Sequence, residues 1–339
     1  FKKKSATIRP QTAMNVQEAV IGSPLTYTNP LFDGCFADPF VLRHEGVWHA
    51  FGTGPCGQDA SWGEFPTLRS EDFVTWRSGP PALRRLPEFE GGAFWAPEVA
   101  QCGGFFYMYY SIGQGDKGHQ LRVAASSSPD GPYLDQGRLT SDLCPFAIDA
   151  CPYQHGDGSW WLFYASDLVE GDRPGTVLWV DRLVTMTELA GSPHLVARAT
   201  KDWQRYEKDR RIYGKVLDWH TLEGPSVHLR NGRVWCLFSG GNWQNDTYGV
   251  DFVVADHPLG PWENTCGQEA RTLKTLPGKV LGPGHNSVTC GPDGRTDYIV
   301  YHAWNLERSR RQMRIDPIEW SPDGPVCLGP STGLQIVQV

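Results

Sequence analysis

The chain lacks the long apolar segments that membrane helices require. No hydrophobic run approaches the ~20 residues needed to cross a bilayer, so the sequence argues against a membrane-spanning protein. Basic runs are also scarce: Lys2–Lys4 and Arg308–Arg314 are the only dense ones, and the net charge of the 339 residues is −7. Because nucleic-acid binding depends on clustered Lys and Arg side chains, we expect no nucleic-acid partner.

Paired cysteine motifs are missing as well. The nine cysteines are odd in number and show no CxxC spacing, so neither a zinc cluster nor a complete disulfide framework is indicated. Cysteines in apolar stretches, such as Cys236 in VWCLFSG, are expected to be buried free thiols, and one or two disulfides stay open. The first residue is Phe rather than Met, so we expect a processed chain that is secreted, with a cytoplasmic location as the alternative.

Helical periodicity is scarce, and a repeated strand pattern takes its place. Five segments each begin with a polar residue, continue through an apolar stretch and a Gly-containing turn, and end in an aromatic-rich strand. The segments begin at Asp38, Glu98, Asp149, Glu223 and His285. Such spacing suits one four-stranded sheet per repeat. We therefore predict an all-β fold, a single-domain five-bladed β-propeller over residues 31–339, with an N-terminal arm at residues 1–30 lying on the first blade.

Equivalent strand starts of a propeller converge on one central pit. An inverting glycosidase needs a base carboxylate that activates water and an acid carboxyl that protonates the leaving oxygen, ~6.5–9.5 Å apart. Asp38, Asp149 and Glu223 begin different repeats. Each alone is better read as a turn, cap or loop residue, but their shared register favours a catalytic site. A third carboxylate beside the acid can help to keep it protonated.

The motifs at the repeat starts resemble those of the family 43 glycoside hydrolases, five-bladed propellers that cleave α-L-arabinofuranosides and β-D-xylosides with inversion. The motifs are ADPF at Asp38, WAPEV at Trp95, FAIDACPY at Asp149, EGPSV at Glu223 and GPGHNSV at His285. The resemblance covers residues 31–339. It implies Asp38 as general base, Glu223 as general acid, and Asp149 as the residue that orients the acid and raises its pKa.

The same resemblance implies a metal ion, often calcium, on the propeller axis near His285. The residues alone would not suggest this metal, since calcium prefers oxygen ligands and a lone histidine is more often structural. No organic cofactor is expected.

Residues near the second and fifth repeat starts are the predicted substrate contacts. Trp95, with Phe94 before it, is expected to form a wall against a sugar ring. Arg311 matches the position of an arginine that binds a sugar hydroxyl and the catalytic carboxylates in the resembling enzymes, with Arg314 as its rival. Three roles are open for Glu98: contact with substrate, neutralisation of Arg311, or support of the WAPEV turn. The structural roles together are favoured over direct catalysis.

The GPGHNSV and YHAW motifs favour the arabinan-active branch. We expect an exo-α-L-arabinofuranosidase acting on plant cell-wall polysaccharide or oligosaccharide, a monomer, with β-xylosidase activity as a side reaction. An endo-arabinanase, a β-D-xylosidase and a non-enzymatic glycan-binding propeller stay as alternatives, and the Asn-Asp-Pro-Asn opening of the fructan-cleaving propellers is absent. The charged stretch Ala190–His220 and the loop Cys56–Phe65 are expected to wall the cleft and decide the exo or endo mode.

Overall fold

The computed structural model describes residues 24–54, 63–264 and 266–339. The regular elements within these ranges are β-strands, apart from two short 3₁₀ helices. The first segment of chain contains β1 (Thr26–Tyr27), β2 (Ala37–His44), β3 (Val47–Thr53), β4 (Gly63–Glu64), β5 (Thr67–Ser70), β6 (Arg77–Ser78) and β7 (Leu83–Arg84). The second contains β8 (Ala93–Cys102), β9 (Phe105–Gln114), β10 (Lys117–Ser126) and β11 (Leu134–Arg138). The all-β prediction is confirmed.

The remaining strands continue the same pattern. The third segment contains β12 (Ala147–Gln154), β13 (Trp160–Leu168), β14 (Gly175–Thr185), β15 (Glu188–Leu189) and β16 (His194–Ala197). The fourth contains β17 (Arg205–Ile212), β18 (Lys215–Arg230), β19 (Arg233–Gly240) and β20 (Gly249–Ala255). The fifth contains β21 (Leu281–Cys290), β22 (Asp297–Trp304), β23 (Arg311–Ser321), β24 (Gly324–Cys327) and β25 (Gln335–Ile336). Two short 3₁₀ helices, Pro87–Phe89 and Asp202–Gln204, complete the described elements, and none of the helices in the described ranges is long and apolar enough to cross a membrane.

The strands form five antiparallel units that correspond to the five predicted repeats. Their orders are β2-β3-β5-β6, β8-β9-β10-β11, β12-β13-β14, β18-β19-β20 and β21-β22-β23-β24. The second strand of a unit has both faces buried, which explains the continuous apolar run VWCLF in β19. The first strand of each unit contacts the first strand of the next unit, and β21 contacts β2.

Five clusters of buried hydrophobic residues hold neighbouring units together. One lies between the first and second units, and the others follow in order, the last being shared by the fifth and the first. Val300 and Met313 of the fifth unit, for example, pack with Val41 and Trp48 of the first. Each unit thus buries both faces of its sheet against its neighbours.

The third and fourth units differ from the expectation of separate sheets. The first half of β18 extends beyond its unit and pairs in parallel with the start of β14, which joins both units into one sheet. Gly175 permits this approach, since a Cβ atom there would lie 2.0 Å from the carbonyl oxygen of His220. The long β18 also pairs with β17 in a hairpin within the predicted 190–220 excursion.

The described end of the predicted arm is part of the folded body. β1 pairs with β25, and Asn29 donates to the carbonyl oxygen of Ile315 in the fifth unit at 2.7 Å. Residues 24–30 therefore join the two ends of the described chain instead of lying on the first unit alone. The rest of the arm, residues 1–23, and most of the Cys56–Phe65 loop lie outside the described residues. The eight described cysteines are free thiols.

Candidate active site

A β-bulge interrupts the first strand of every unit at the same place. The residue that begins each bulge has a positive φ: Asp38 (49°), Ala96 (47°), Asp149 (59°), Gly224 (54°) and His285 (48°). A bulge bends its strand and changes the direction of a side chain. The five bulges therefore direct equivalent positions toward the centre of the molecule.

These bulges correct the register predicted from the sequence. Ala96 and Gly224, not Glu98 and Glu223, are the equivalents of Asp38. Glu223 directly precedes its bulge residue, as Trp95 precedes Ala96, and it still reaches the centre. Glu98 lies beyond the bulge, where it is buried but does not line the central cavity. Sequence spacing missed this shift because a two-residue bulge leaves no mark in composition.

The bulges surround a cavity of about 220 Å³, which we call the central pit. Its lining residues are Asp38, Trp95, Ile148, Asp149, Glu223, Trp243, His285 and Arg311. The three predicted catalytic carboxyls, the predicted sugar-stacking tryptophan, the predicted arginine and the predicted axial histidine thus meet in one place.

Asp38 is held as a carboxylate. Arg311 Nη1 donates to Asp38 Oδ1 at 3.0 Å, and His285 Nδ1 lies 3.5 Å from the same oxygen. Burial opposes the ionisation of Asp38, but the Arg311 guanidinium above all outweighs it and holds the pKa of Asp38 well below its ordinary value. The backbone N–H of Asp38 donates to His302 Nδ1 at 3.0 Å, which fixes the bulge. An ionised carboxylate in this position can accept a proton.

Asp149 and Glu223 have the opposite electrostatic character. Burial, with the neighbouring charges of Glu223 and Asp38, raises the pKa of Asp149 well above its ordinary value. Burial also raises the pKa of Glu223 to about 7, against the hydrogen bond that Tyr248 donates to Glu223 Oε1 at 2.7 Å. This pair therefore retains a proton near neutral pH, while Asp38 has lost its own. Asp149 Oδ2 also accepts from the backbone N–H of Gly224 at 2.9 Å, next to Glu223.

Arg311 and Trp95 occupy the pit as predicted, and Arg314 does not. The Arg311 guanidinium lies 4.6 Å from the centre of the Trp243 ring. Trp95 stacks on His119 with ring centres 3.7 Å apart, so one of its faces is already covered. Arg314 is buried outside the pit lining, and alternation along β23 therefore selects Arg311 for the pit.

Phe94 and Glu98 do not line the pit. Phe94 stacks on Tyr110 at 6.2 Å and packs with the cluster between the first and second units. Burial raises the pKa of Glu98 to about 8, and the thiol of Cys151 is its hydrogen-bonding neighbour. The geometry gives no support to substrate contact by either residue, nor to a pairing of Glu98 with Arg311.

Three residues of the site escaped sequence reasoning. Trp243 lines the pit, Tyr248 bonds the acid and His302 bonds the base. The rings of Tyr248 and His302 stack with centres 5.9 Å apart, so the partners of acid and base support each other. His302 lies in the YHAW motif that follows GPGHNSV, and its place on the strand paired with β21 was the available signal.

The charged neighbours of His285 that could serve a metal ion are Asp38 and Asp149. Within residues 24–54, 63–264 and 266–339, no group of three or more His, Cys, Asp or Glu side chains is placed to hold a metal. His285 Nδ1 faces Asp38 and, at 4.0 Å, Asp149, and burial lowers its pKa. The protein side chains thus do not form a calcium site of the usual oxygen-rich kind. Calcium stays a prediction from resemblance, and no step below uses it.

Comparison with known proteins places this geometry in a family. The family model described as glycosyl hydrolases family 43 matches residues 27–326. The chain is 28% identical to a β-D-galactofuranosidase of Aspergillus niger, over 91% of this chain and 87% of that protein. It is 26% identical to an extracellular exo-α-(1→5)-L-arabinofuranosidase of Streptomyces chartreusis, over 87% and 86%. A solved thermostable family-43 glycoside hydrolase superposes with a TM-score of 0.76 at 28% identity, covering 92% of this chain and 98% of that one.

Proposed function

Since the chain belongs to glycosyl hydrolase family 43, we propose that it is an inverting exo-α-L-arabinofuranosidase that releases terminal arabinofuranose from arabinan or arabinoxylan oligosaccharides. One observation carries the proposal: Asp38, Asp149 and Glu223, far apart in the sequence, line one pit, in which Arg311 donates to Asp38 and Tyr248 donates to Glu223. These surroundings lower the pKa of Asp38 and raise the pKa values of Asp149 and Glu223. That division supplies a base and an acid at the same pH.

In the proposed mechanism Asp38 removes a proton from a water molecule, which attacks the anomeric carbon. Glu223 donates its proton to the glycosidic oxygen as the bond to the leaving sugar breaks. Arg311 keeps Asp38 ionised until Asp38 takes up the proton of the water molecule. Asp149, whose pKa is raised, helps to retain a proton on the Asp149–Glu223 pair. The charge of the oxocarbenium-like transition state is then balanced by the carboxylates.

The architecture that supports this chemistry is a five-bladed propeller. The five units, the five bulged first strands and the contact of β21 with β2 favour it. In that arrangement each first strand faces the axis, and the pit lies on the axis.

The size of the pit favours the exo mode. A cavity of about 220 Å³ is below the ~300–1,000 Å³ of sites that hold larger ligands, so it suits a single sugar ring. Trp95 and Trp243 offer apolar ring faces, and Arg311 offers donors to a hydroxyl. The name of the Streptomyces chartreusis relative agrees with this mode and with secretion, and we propose both for this monomeric protein and its plant cell-wall substrate.

A β-D-galactofuranosidase is the second candidate, favoured by the similarity to the Aspergillus niger enzyme. The ring of β-D-galactofuranose has the configuration of α-L-arabinofuranose and carries one additional CHOH group at its exocyclic carbon. A pit that orients one ring can orient the other when its wall leaves room for that group. The choice between the two rests on the pit wall and not on the catalytic carboxyls.

The test is a panel of nitrophenyl glycosides: α-L-arabinofuranoside, β-D-galactofuranoside and β-D-xyloside, with linear arabinan beside them. We expect the highest kcat/KM on the arabinofuranoside, release of arabinose from chain ends, and inverted sugar in the first NMR spectra. Preference for the galactofuranoside would establish the second candidate, and fragments from the middle of arabinan would indicate an endo enzyme. A glycan-binding propeller would bind arabinan without turnover.

A further inference from the structure

A second and larger cavity, of about 790 Å³, lies beside the hairpin that β17 and β18 form; we call it the hairpin cavity. It is lined by that hairpin, by the β9–β10 turn and by parts of the third unit, and its lining includes Phe146, Asp167, Tyr206, Arg210, Tyr213 and Trp219. Its volume lies within the ~300–1,000 Å³ of ligand sites. The mechanism above makes no use of it.

Residues of the hairpin cavity lie near residues of the central pit on two sides. Phe146 lines the cavity, and its ring centre lies 5.7 Å from His119, which stacks on Trp95 of the pit. On the other side the carbonyl oxygen of Tyr206 accepts from Asn242 Nδ2 at 2.9 Å, and Asn242 directly precedes Trp243 of the pit. On each side one residue, His119 or Asn242, lies between a residue of the cavity and a tryptophan of the pit.

The cavity lies on the acid side of the pit. The second strand of the hairpin, β18, carries Trp219 of the cavity and continues to Glu223 of the pit. The proposed acid protonates the oxygen that joins the terminal sugar to the rest of the substrate. Sugars beyond that oxygen therefore extend toward Tyr206.

The lining has the chemistry of a neutral sugar site. The Arg210 guanidinium lies 5.0 Å from the Tyr206 ring and 5.8 Å from the Trp219 ring, and it is held by Asp116 at 3.7 Å and by Glu207 at 3.5 Å. Asp167 accepts from Tyr213 at 2.7 Å. Carboxylates and guanidinium groups are mixed, so the cavity does not favour a phosphate or another anion. Planar aromatic faces beside fixed donors and acceptors suit sugar rings and their hydroxyls.

We infer that the hairpin cavity binds the furanose residues on the leaving-group side of the scissile bond, so that the β17–β18 hairpin makes the enzyme prefer oligosaccharides over simple glycosides. The inference rests on the proposed function. It assigns to Arg210 the recognition of hydroxyls on the leaving chain.

The experiment compares kcat/KM on nitrophenyl α-L-arabinofuranoside with kcat/KM on arabino-oligosaccharides of two to five residues. In the wild type we expect kcat/KM on the longer oligosaccharides to be about tenfold or more above that on the shortest substrate, because their additional sugars bind in the hairpin cavity. Arg210→Ala should reduce the ratio of oligosaccharide to nitrophenyl kcat/KM by about tenfold. Arg233→Ala is the matched control, because Arg233 is also a partly exposed arginine with two carboxylate partners, Asp256 and Glu263, but lies outside both cavities.

The outcomes separate the two proposals. No turnover of any arabinofuranoside would refute the proposed function itself. Turnover without a length effect in the wild type, or a length effect that Arg210→Ala leaves intact, would overturn the hairpin-cavity inference alone. If Arg210→Ala fails to fold by circular dichroism, Arg210→Gln and the wild-type length series still decide.

Discussion

The central pit and the hairpin cavity are adjacent, but different parts of the chain build them. Six of the eight residues that line the pit lie at the five equivalent bulges or directly before them, and each bulge pairs with the second strand of its own unit. The hairpin cavity depends on one insertion, β17–β18, which has no equivalent among the described residues of the other four units. The five repeated units therefore carry the proposed chemistry, and the β17–β18 hairpin, which is an irregular addition to them, carries the proposed choice of substrate.

The electrostatics of the two cavities differ in the same sense. In the pit buried carboxyls have strongly displaced pKa values, Asp38 downward and Asp149 upward. In the hairpin cavity the Arg210 pairs are partly exposed, and such pairs contribute little to stability. Substitutions in the pit should therefore act on turnover, and substitutions in the hairpin cavity on substrate length.

The largest effect is expected from removing the acid or the base. Asp38→Asn and Glu223→Gln should each lower kcat by ~10²–10⁴-fold on every substrate, the range of general acid or base catalysis, while calorimetry still detects oligosaccharide binding. Asp256→Asn is the matched control, since Asp256 pairs with Arg233 on the surface and should leave kcat unchanged. A variant of either pit residue within threefold of wild-type kcat would remove that residue from the mechanism.

Much of this division was predictable from the sequence, for a physical reason. The alternating strands and the repeat-start residues Asp38, Asp149, Glu223 and His285, with Trp95 beside them, follow from repeated local patterns, whereas Arg311 was predicted from the family resemblance. The bulge register was not predictable, because it depends on pairing with the next strand. Glu98 was therefore misaligned by two residues with Asp38.

The residues that escaped prediction act through tertiary contacts. Tyr248 lies 25 positions from the Glu223 it bonds, and His302 lies 264 positions from Asp38. No local spacing indicates such pairs. For residues 190–220 the sequence predicts a wall of the cleft but no separate cavity, since the volume of the hairpin cavity arises where the hairpin meets the β9–β10 turn.

A smaller effect is expected from pH and from Tyr248. Glu223 must be protonated to act as the acid, and its pKa is raised to about 7, so kcat/KM should fall as pH rises through about 7. Asp38 must be ionised to act as the base, and because its pKa is lowered, kcat/KM should fall on this account only at low pH. Tyr248 stabilises the ionised form of Glu223, so Tyr248→Phe should raise the upper midpoint by about one pH unit, given ~1.5–3 kcal/mol for a hydrogen bond to a charged group and 1.36 kcal/mol per unit.

The control for this pH shift is Tyr153→Phe. It removes a phenol hydroxyl that contacts His155 outside both cavities, and it should leave the midpoint in place. An unchanged or lowered midpoint in Tyr248→Phe would show that another group sets the upper limb. Arg210→Ala, in the hairpin cavity, should displace neither the acidic nor the basic limb of the pH profile of kcat/KM, so measuring it beside Tyr248→Phe compares the two cavities.

The smallest expected effect concerns the backbone of the pit. Gly224 has a φ of 54°, and a Cβ atom there would lie 3.1 Å from the His285 ring. Gly232 has a φ of 75° in a turn where a Cβ atom meets nothing within 4 Å. Left-handed backbone costs a non-glycine residue roughly 1–2 kcal/mol, so both alanine variants should unfold at lower urea concentration. Gly224→Ala should lose more stability than Gly232→Ala, and it alone should lower kcat, because His285 must shift beside Asp38. Equal losses in stability, with kcat unchanged, would mean that the bulge tolerates movement and that the pit is less rigid than its strands suggest.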